Sequence, residues 1–339
     1  MDVGVGTFNL NNLFSRFNFR ADLETTTPAD PGIAGVSGMA GGTTAVPTEE
    51  PMASYSFGEG SLFVTRTYRG RLVRGKPERD TERIANRILQ ANLDVLAVQE
   101  VEDLVTLRGF DQEWLNGLYP YSALVDGNDP RLIDLAVLSK LPIGGITSWQ
   151  WAVHPDDPSE PVFSRDLLEV EILSPSRRQR LFTLYNNHLK SHYVPFDADP
   201  VEGARRANER RQRQAAIAAR IVAARQRPNG RFIVLGDMND PPDSPFLAPL
   251  AGSTALMMTN GLANPRETRP APDDDPPPPG PAWTHRFKPR NQPAEYELFD
   301  HVWLSPALSG RLTDAVIDRR TRLGGDGSDH DLAWVTLDL

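Results

Sequence analysis

Cysteine is missing from all 339 residues, which excludes disulfides, thiolate catalysis and Cys-ligated zinc or iron–sulfur sites. No apolar run reaches the roughly 20 residues that a membrane-crossing helix needs. Excess positive charge is missing too: the formal net charge is −9, whereas a general nucleic-acid coat protein is usually basic. Acidity does not exclude an enzyme acting on phosphate esters, because local cations and a bound metal offset it. The opening MDVGVGTFNL lacks the basic start and long apolar segment of a signal peptide. The expected location is therefore cytoplasmic, or secreted with the leader already gone. What is present is ample material for a core, at 39% hydrophobic residues, and a large α/β unit holds this length as one domain.

Short apolar strands alternate with helical stretches, which argues an α/β core. VGVGTFNL (3–10) reads as the first strand. KPERDTERIANRILQAN places Ile84, Ile88 and Leu89 at helical spacing, and LDVLAVQEV follows as a buried strand from Leu93 to Val98. LIDLAVLSK is another strand. LLEVEIL and RLFTLYNNHL form a neighbouring pair across the turn SPSRRQ. Residues 202–226 are the clearest helix, stopped by Pro228-Asn229-Gly230. Ile217, Ile221 and Ala224 are its expected buried stripe, and its arginines an outer solvated face. RFIVLGDM, FDHVWLS and DLAWVTLDL supply further strands. Two low-complexity insertions interrupt the expected single domain (1–339). One, at about 21–60, is rich in Gly, Thr, Ala and Pro; the other, at about 268–282, is acidic and Pro-rich. The first reads as flexible, the second as an extended spacer.

Several strands end in the same chemistry. TFNLNN carries Asn9 and Asn11, two apart and so expected on one face. LAVQEV ends at Glu100. NNHLKSH presents Asn187, His188 and Lys190. VLGDMND presents Asp237 and Asn239. FDHVWLS carries Asp300 and His301, and GSDHDLAW carries Asp329 and His330. Carboxylate and amide oxygens suit Mg²⁺, Mn²⁺ or Ca²⁺. The lack of Cys and of an HExxH pair argues against structural zinc. His188 and His330 have the chemistry of an acid, a base or a phosphate-charge stabiliser, and Asp300 could orient His330.

TFNLNNLF, LAVQEVED, DGNDPRLIDLAVLSKLPI, FSRDLLEVEI, NNHLKSH, VLGDMNDPPDSP, DHVWLSPAL and GSDHDLA, in that order, resemble the endonuclease/exonuclease/phosphatase superfamily of deoxyribonuclease-like, metal-dependent phosphoesterases. The nearest likeness is to its bacterial hydrolases. The resemblance implies a four-layer sandwich of two mixed β-sheets flanked by helices. It implies Glu100, Asn9 and Asp329 around the metal, and His188, Asp237, Asn239, Asp300 and His330 as catalytic groups. Arg131, Asn187, Lys190 and Arg165 would meet the substrate. Asn11 stands where some members carry a metal-binding Asp. Leu132 stands where the bacterial pattern Arg-Gly-Ile-Asp has its Gly.

The implied reaction is in-line attack of water on phosphorus, with Mg²⁺, Mn²⁺ or Ca²⁺ offsetting charge. A nucleic-acid substrate is the first expectation, and a small or lipid phosphoester the alternative. A binding protein that has lost catalysis is the third. Tyr68, Tyr121, Trp149, Trp151, Tyr193 and Trp283 are candidate rim aromatics for stacking bases. His154 and His192 read as surface or structural groups, His301 as a packing residue and His285 as unassigned. A monomer is expected.

Overall fold

The computed structural model describes residues 1–14, 75–194, 198–227, 229–274, 276–289, 291–323 and 326–339. It also describes the backbone of four short strands, Asn18–Arg20, Met52–Tyr55, Arg66–Arg69 and Arg71–Val73. The expected insertion at 21–60, and Tyr68 as a side chain, thus lie outside the described residues. Met52–Tyr55 is the exception and pairs antiparallel with Arg66–Arg69.

Two large sheets carry the fold. The first orders its strands as Arg266–Glu267, Leu312–Asp318, Leu332–Asp338, Asp2–Leu13, Val95–Val101, Asp134–Ser139 and Tyr121–Val125. The second runs Thr259–Asn260, Asp300–Leu304, Phe232–Asp237, Arg180–His188, Leu167–Leu173 and Ile143–Ser148. Side-chain alternation explains how each sheet is covered on both faces. Val3, Val5, Val95 and Ala97 face the second sheet and meet Leu168, Val170, Leu184, Ile233 and Leu235 in one apolar layer. Phe8, Leu10, Leu96 and Val98 face outward and are covered by helices Glu78–Ala91 and Leu104–Trp114. The outer face of the second sheet, including Tyr185 and Val234, is covered by helix Pro200–Arg225. The result is helix, sheet, sheet, helix: the expected four-layer α/β sandwich. Among the described residues no helix is long and apolar enough to cross a membrane.

Polar side chains pin the two sheets together inside this layer. Asn186 donates to the carbonyls of Val98 (3.1 Å) and Ala136 (2.9 Å), and its own carbonyl accepts from Gln99 at 2.8 Å. All are fully buried, so each bond also removes the cost of an unmet polar group.

Strand direction decides where chemistry collects. Asp2–Leu13 and Val95–Val101 are parallel, as are Arg180–His188 and Phe232–Asp237. Their C-terminal ends therefore reach one edge of the sandwich. Asp300–Leu304 and Leu332–Asp338 run antiparallel to these neighbours, so they bring their N-terminal ends to it. This is why Asn9, Glu100, His188 and Asp237 close their strands while Asp300 and His330 open theirs.

Several expectations are corrected. The long helix begins at Pro200, with the Asp199 carboxylate accepting from the Glu202 amide. Its buried stripe is Ile217, Ala218 and Val222, while Ala224 is exposed. Its arginine face is not wholly solvated: Arg211 is fully buried and pairs with Asp240 at 3.0 Å. The segment 268–282 is tied to the body rather than standing off as a spacer. Arg286 and the Tyr296 hydroxyl hold Asp274, and Thr268 donates to Asp318 at 2.7 Å. Trp283 is not a rim aromatic but lies 1% exposed beneath the Arg319 guanidinium.

Candidate active site

Asn9 is the centre of the cluster. Its amide nitrogen donates to Asp237 at 2.9 Å and to Glu100 at 3.4 Å, joining carboxylates from the two sheets. Its amide oxygen accepts from the Asn11 backbone at 2.9 Å. Asn11 (φ 48°) and Asn12 (φ 62°) are left-handed, so strand alternation ends there and the expected shared face of Asn9 and Asn11 does not arise from extended backbone. The turn instead directs the Asn12 amide to Glu100 (3.0 Å) and the Asn11 side chain to Asp329 (2.9 Å). Glu100 is itself left-handed (φ 64°), a strain of order 1–2 kcal/mol for a non-glycine residue.

Asp237 faces two histidines of opposite character. His330 Nε2 is 3.7 Å away and His188 Nε2 3.4 Å. Burial alone would lower the His330 pKa, but the carboxylates of Asp300, 2.7 Å from its Nδ1, and Asp237 hold it well above the usual imidazole range. Burial and the nearby Arg165 and His330 charges push His188 well below that range. The surroundings thus bias the two imidazoles in opposite directions, His330 toward its protonated form and His188 toward its neutral one. Burial raises Asp237 to about 7, His330 opposing the rise and Asp300 adding to it. The Asn239 amide donates to Asp237 at 2.9 Å, and its side chain holds the Leu189 carbonyl at 3.2 Å.

Glu100 and Asp329 form the more open side. Burial and then the Asp329 charge raise the Glu100 pKa. Lys76, the neighbouring cation, spends its ammonium on the Gly327 carbonyl at 2.6 Å. Two crowded carboxylates, with no ammonium hydrogen-bonded to them among the described residues, fit a hard divalent cation. Asp237, Asp300 and His330 also converge closely enough to hold an ion.

Beside this cluster lies a guanidinium clamp. Asp129 accepts two bonds from Arg131 (2.9 and 2.7 Å), and Arg165 Nε approaches it to 3.2 Å. Leu132, standing where a Gly was expected, takes φ 56° and so keeps the left-handed path at a cost. Lys190 donates to the carbonyls of Ser191 (2.8 Å) and Tyr193 (3.0 Å). Burial and the charges of Arg165, Arg131 and Arg211 lower it to about 8. Asn187 is the site candidate that the strand turns away. Asn186 and His188 face the first sheet, so Asn187 lies on the opposite face, and both polar atoms of its buried amide are without protein partners.

His301 is a packing residue as expected: it accepts from the Trp303 indole at 3.1 Å and contacts the Leu298 carbonyl at 2.7 Å. His192 is half-exposed and pairs with Asp240, and His154 lies beside Asp156. Residues missed from the sequence hold the site from behind. Asp331 is fully buried and binds Arg319 (2.8 Å), Arg320 (2.9 Å) and Arg87 (3.3 Å). Arg320 also donates to the Asp329 carbonyl at 2.8 Å, which fixes the loop before His330. Their signal was DHDLAW and IDRRTR, charged runs that read as surface unless an acid and arginines are known to meet.

Two packed mixed sheets, with carboxylate, amide and imidazole groups gathered at one edge, define an α/β-sandwich hydrolase of phosphoester type. Residues 57–330 match the Endonuclease/Exonuclease/phosphatase family, and the chain belongs to that family, whose members are divalent-metal-dependent phosphoester hydrolases. The fold is similar to the endonuclease/exonuclease/phosphatase family protein from Bacteroides thetaiotaomicron, at 14% identity and TM-score 0.52, covering 100% of this chain and 99% of that one. It is also similar to the endonuclease/exonuclease/phosphatase from Beutenbergia cavernae, at 15% identity and TM-score 0.55, covering 100% and 72%. Truncated Caenorhabditis elegans TDP2 aligns at 18% identity and TM-score 0.51, covering 77% and 90%. A search of curated proteins found no match.

Proposed function

We propose that this protein hydrolyses phosphodiester bonds of DNA or RNA by in-line attack of water. The observation that carries this reading is the bridging of Glu100 and Asp237 by Asn9, with the Asp300–His330 pair on the far side of Asp237. Glu100 and Asp329 would hold Mg²⁺, or Mn²⁺ or Ca²⁺ in its place, with Asn9 fixing the Glu100 carboxylate. When bound, the ion supplies charge compensation for the phosphate and the leaving oxygen.

Asp237 orients the water and takes its proton, since a carboxylate raised to about 7 is well matched to neutral pH. Cationic His330, fixed by Asp300, stabilises charge developing on the phosphate. Neutral His188 offers a hydrogen bond there without competing for the proton, and Asn239 completes the donor set. Arg131, Arg165 and Lys190 receive the phosphates of the substrate. Arg131, Arg165 and Lys190 stand together on that side of the site, with Asp129 offsetting part of their charge, and a backbone of several phosphates would engage more of them than a single phosphate would. Exposed Tyr193 lies in the Lys190 loop, where a base could stack.

The test is a substrate panel on chelator-stripped protein with each metal restored: plasmid, single-stranded DNA, RNA, a phosphodiester chromogen, a phosphomonoester and sphingomyelin. Metal-dependent cleavage of nucleic acid is expected. Asp237→Asn, His330→Ala and Glu100→Ala should each lose about 10²–10³ in rate while staying folded. Activity confined to a lipid or small ester would keep the chemistry and overturn the substrate. Silence with every metal would favour a binding protein on this scaffold.

A further inference from the structure

His285 takes no part in the reaction described above, yet it stands at the mouth of the site. Its ring lies flat on Phe299, with centroids 4.9 Å apart and planes 14° apart. Its backbone bridges to His330, and the two imidazole centroids are 5.0 Å apart. No hydrogen bond to its ring nitrogens is found among the described residues. Asp329, exposed on its turn, completes the group: donor atoms of His285, Asp329 and His330 all lie within 4.8 Å of one another.

We infer that His285, Asp329 and His330 form a second metal site, specific for a zinc-type transition ion, whose occupation switches hydrolysis off. Two imidazoles and one carboxylate are borderline ligands that suit Zn²⁺ far better than Mg²⁺, which prefers oxygen. Donors about 2.1 Å from a tetrahedral Zn²⁺ lie about 3.4 Å apart, so a pair at the 4.8 Å limit closes by about 1.4 Å on binding. Asp329 is exposed and reaches the ion by releasing the Asn11 side chain, while Phe299 and the backbone bridge keep the two rings side by side. His330 Nδ1 is already engaged by Asp300 at 2.7 Å, so the ion takes Nε2, which lies 3.7 Å from Asp237. A carboxylate behind a histidine is the arrangement that fixes ring orientation in metal sites. The bound ion takes the His330 nitrogen that faces Asp237, and it draws Asp329 away from Glu100.

The binding half of this inference stands on geometry alone; the inhibitory half rests on the proposed phosphoester hydrolysis. The test uses the full, chelator-stripped chain and ZnCl₂ followed by calorimetry, with Co²⁺ absorption as a second readout of a low-coordinate nitrogen–oxygen site. His285→Phe keeps a ring on Phe299 and removes both nitrogens; His285→Asn guards against a packing artefact. The expected result is one Zn²⁺ bound by the wild type and binding weakened about tenfold or more in both variants. With Mg²⁺ and a phosphodiester chromogen, the Zn²⁺ concentration for half-inhibition should rise by a similar factor, with Zn-free turnover unchanged. Equal Zn²⁺ binding by wild type and variants, or none by the wild type, overturns the site. Binding through His285 by a chain that cleaves no phosphoester sustains the site and sinks the proposed function. Cleavage without His285-dependent binding does the reverse.

Discussion

Asp134 and Asp237 are two buried carboxylates raised to about 7, burial being the first cause in both, yet their surroundings differ. Asp237 has His330 facing it, a ring held toward its protonated form by Asp300 and Asp237. Asp134 has the Gly127 amide at 2.9 Å on one oxygen, nothing on the other, and Asp126, Asp129 and Asp166 nearby to repel it. Between the ordinary Asp value near 4 and about 7, the folded chain holds a proton on Asp134 that the unfolded chain does not. Stability from this group is therefore present at low pH and lost as pH rises through that window. Asp134→Asn mimics the protonated form and keeps an acceptor for Gly127. It should stabilise the protein by about 1–3 kcal/mol at pH 8.5 and bring no gain at pH 4.5, as read by urea unfolding at both values. An equal gain at both would mean that the effect does not come from ionisation of Asp134.

Among the elements, the parallel pair Arg180–His188 and Phe232–Asp237 tolerates least. Gly236 has φ 126°, and a Cβ there would lie 2.0 Å from the Asn187 carbonyl oxygen. Gly236→Ala should destabilise the protein by more than about 3 kcal/mol and displace Asp237 with it. Gly109, inside helix Leu104–Trp114, has open space around its missing Cβ, and Gly109→Ala should add about 0.5–1 kcal/mol. Denaturant midpoints of the two variants, moving in opposite directions, check the assignment. The long apolar strands, and the polar residues closing them, were legible because burial on both faces leaves an unbroken hydrophobic run. Helix Leu104–Trp114 escaped notice through that interior glycine, although Asp103 capping the Thr106 amide at 2.7 Å was a usable start signal. Leu312–Asp318 was missed because its burial pattern is irregular at one end. Arg211, Arg319 and Arg320 were illegible in principle: an arginine reads as surface until its buried acid is known.

At the scale of the molecule, the fold closes by joining its beginning to its end. Asp2–Leu13 lies between Val95–Val101 and the last strand, so Asn9 and His330, more than 300 residues apart, meet only when the sandwich is complete. Asp331 secures that closure, its carboxyl held below the usual range because Arg320, Arg87 and Arg319 outweigh burial. A depressed carboxylate stabilises above its unfolded pKa and ceases to as pH falls through the folded value. Asp331→Ala leaves buried guanidiniums uncompensated and should cost about 3–5 kcal/mol at pH 7. Thermal unfolding should show that loss shrinking below about pH 4, and loss of activity on heating should coincide with loss of structure. An unchanged melting temperature at pH 7 would remove Asp331 from its structural role.

The ends of the chain touch: the Leu339 amide donates to the Met1 carbonyl at 3.0 Å, and the Met1 ammonium reaches Asp338 at 3.0 Å. The order of the motifs along the polypeptide is then a matter of where the ring was cut, not of chemistry. A short linker across these ends, with new termini opened in a surface turn such as that around Arg177, would give a circular permutant with the same edge of the sandwich intact.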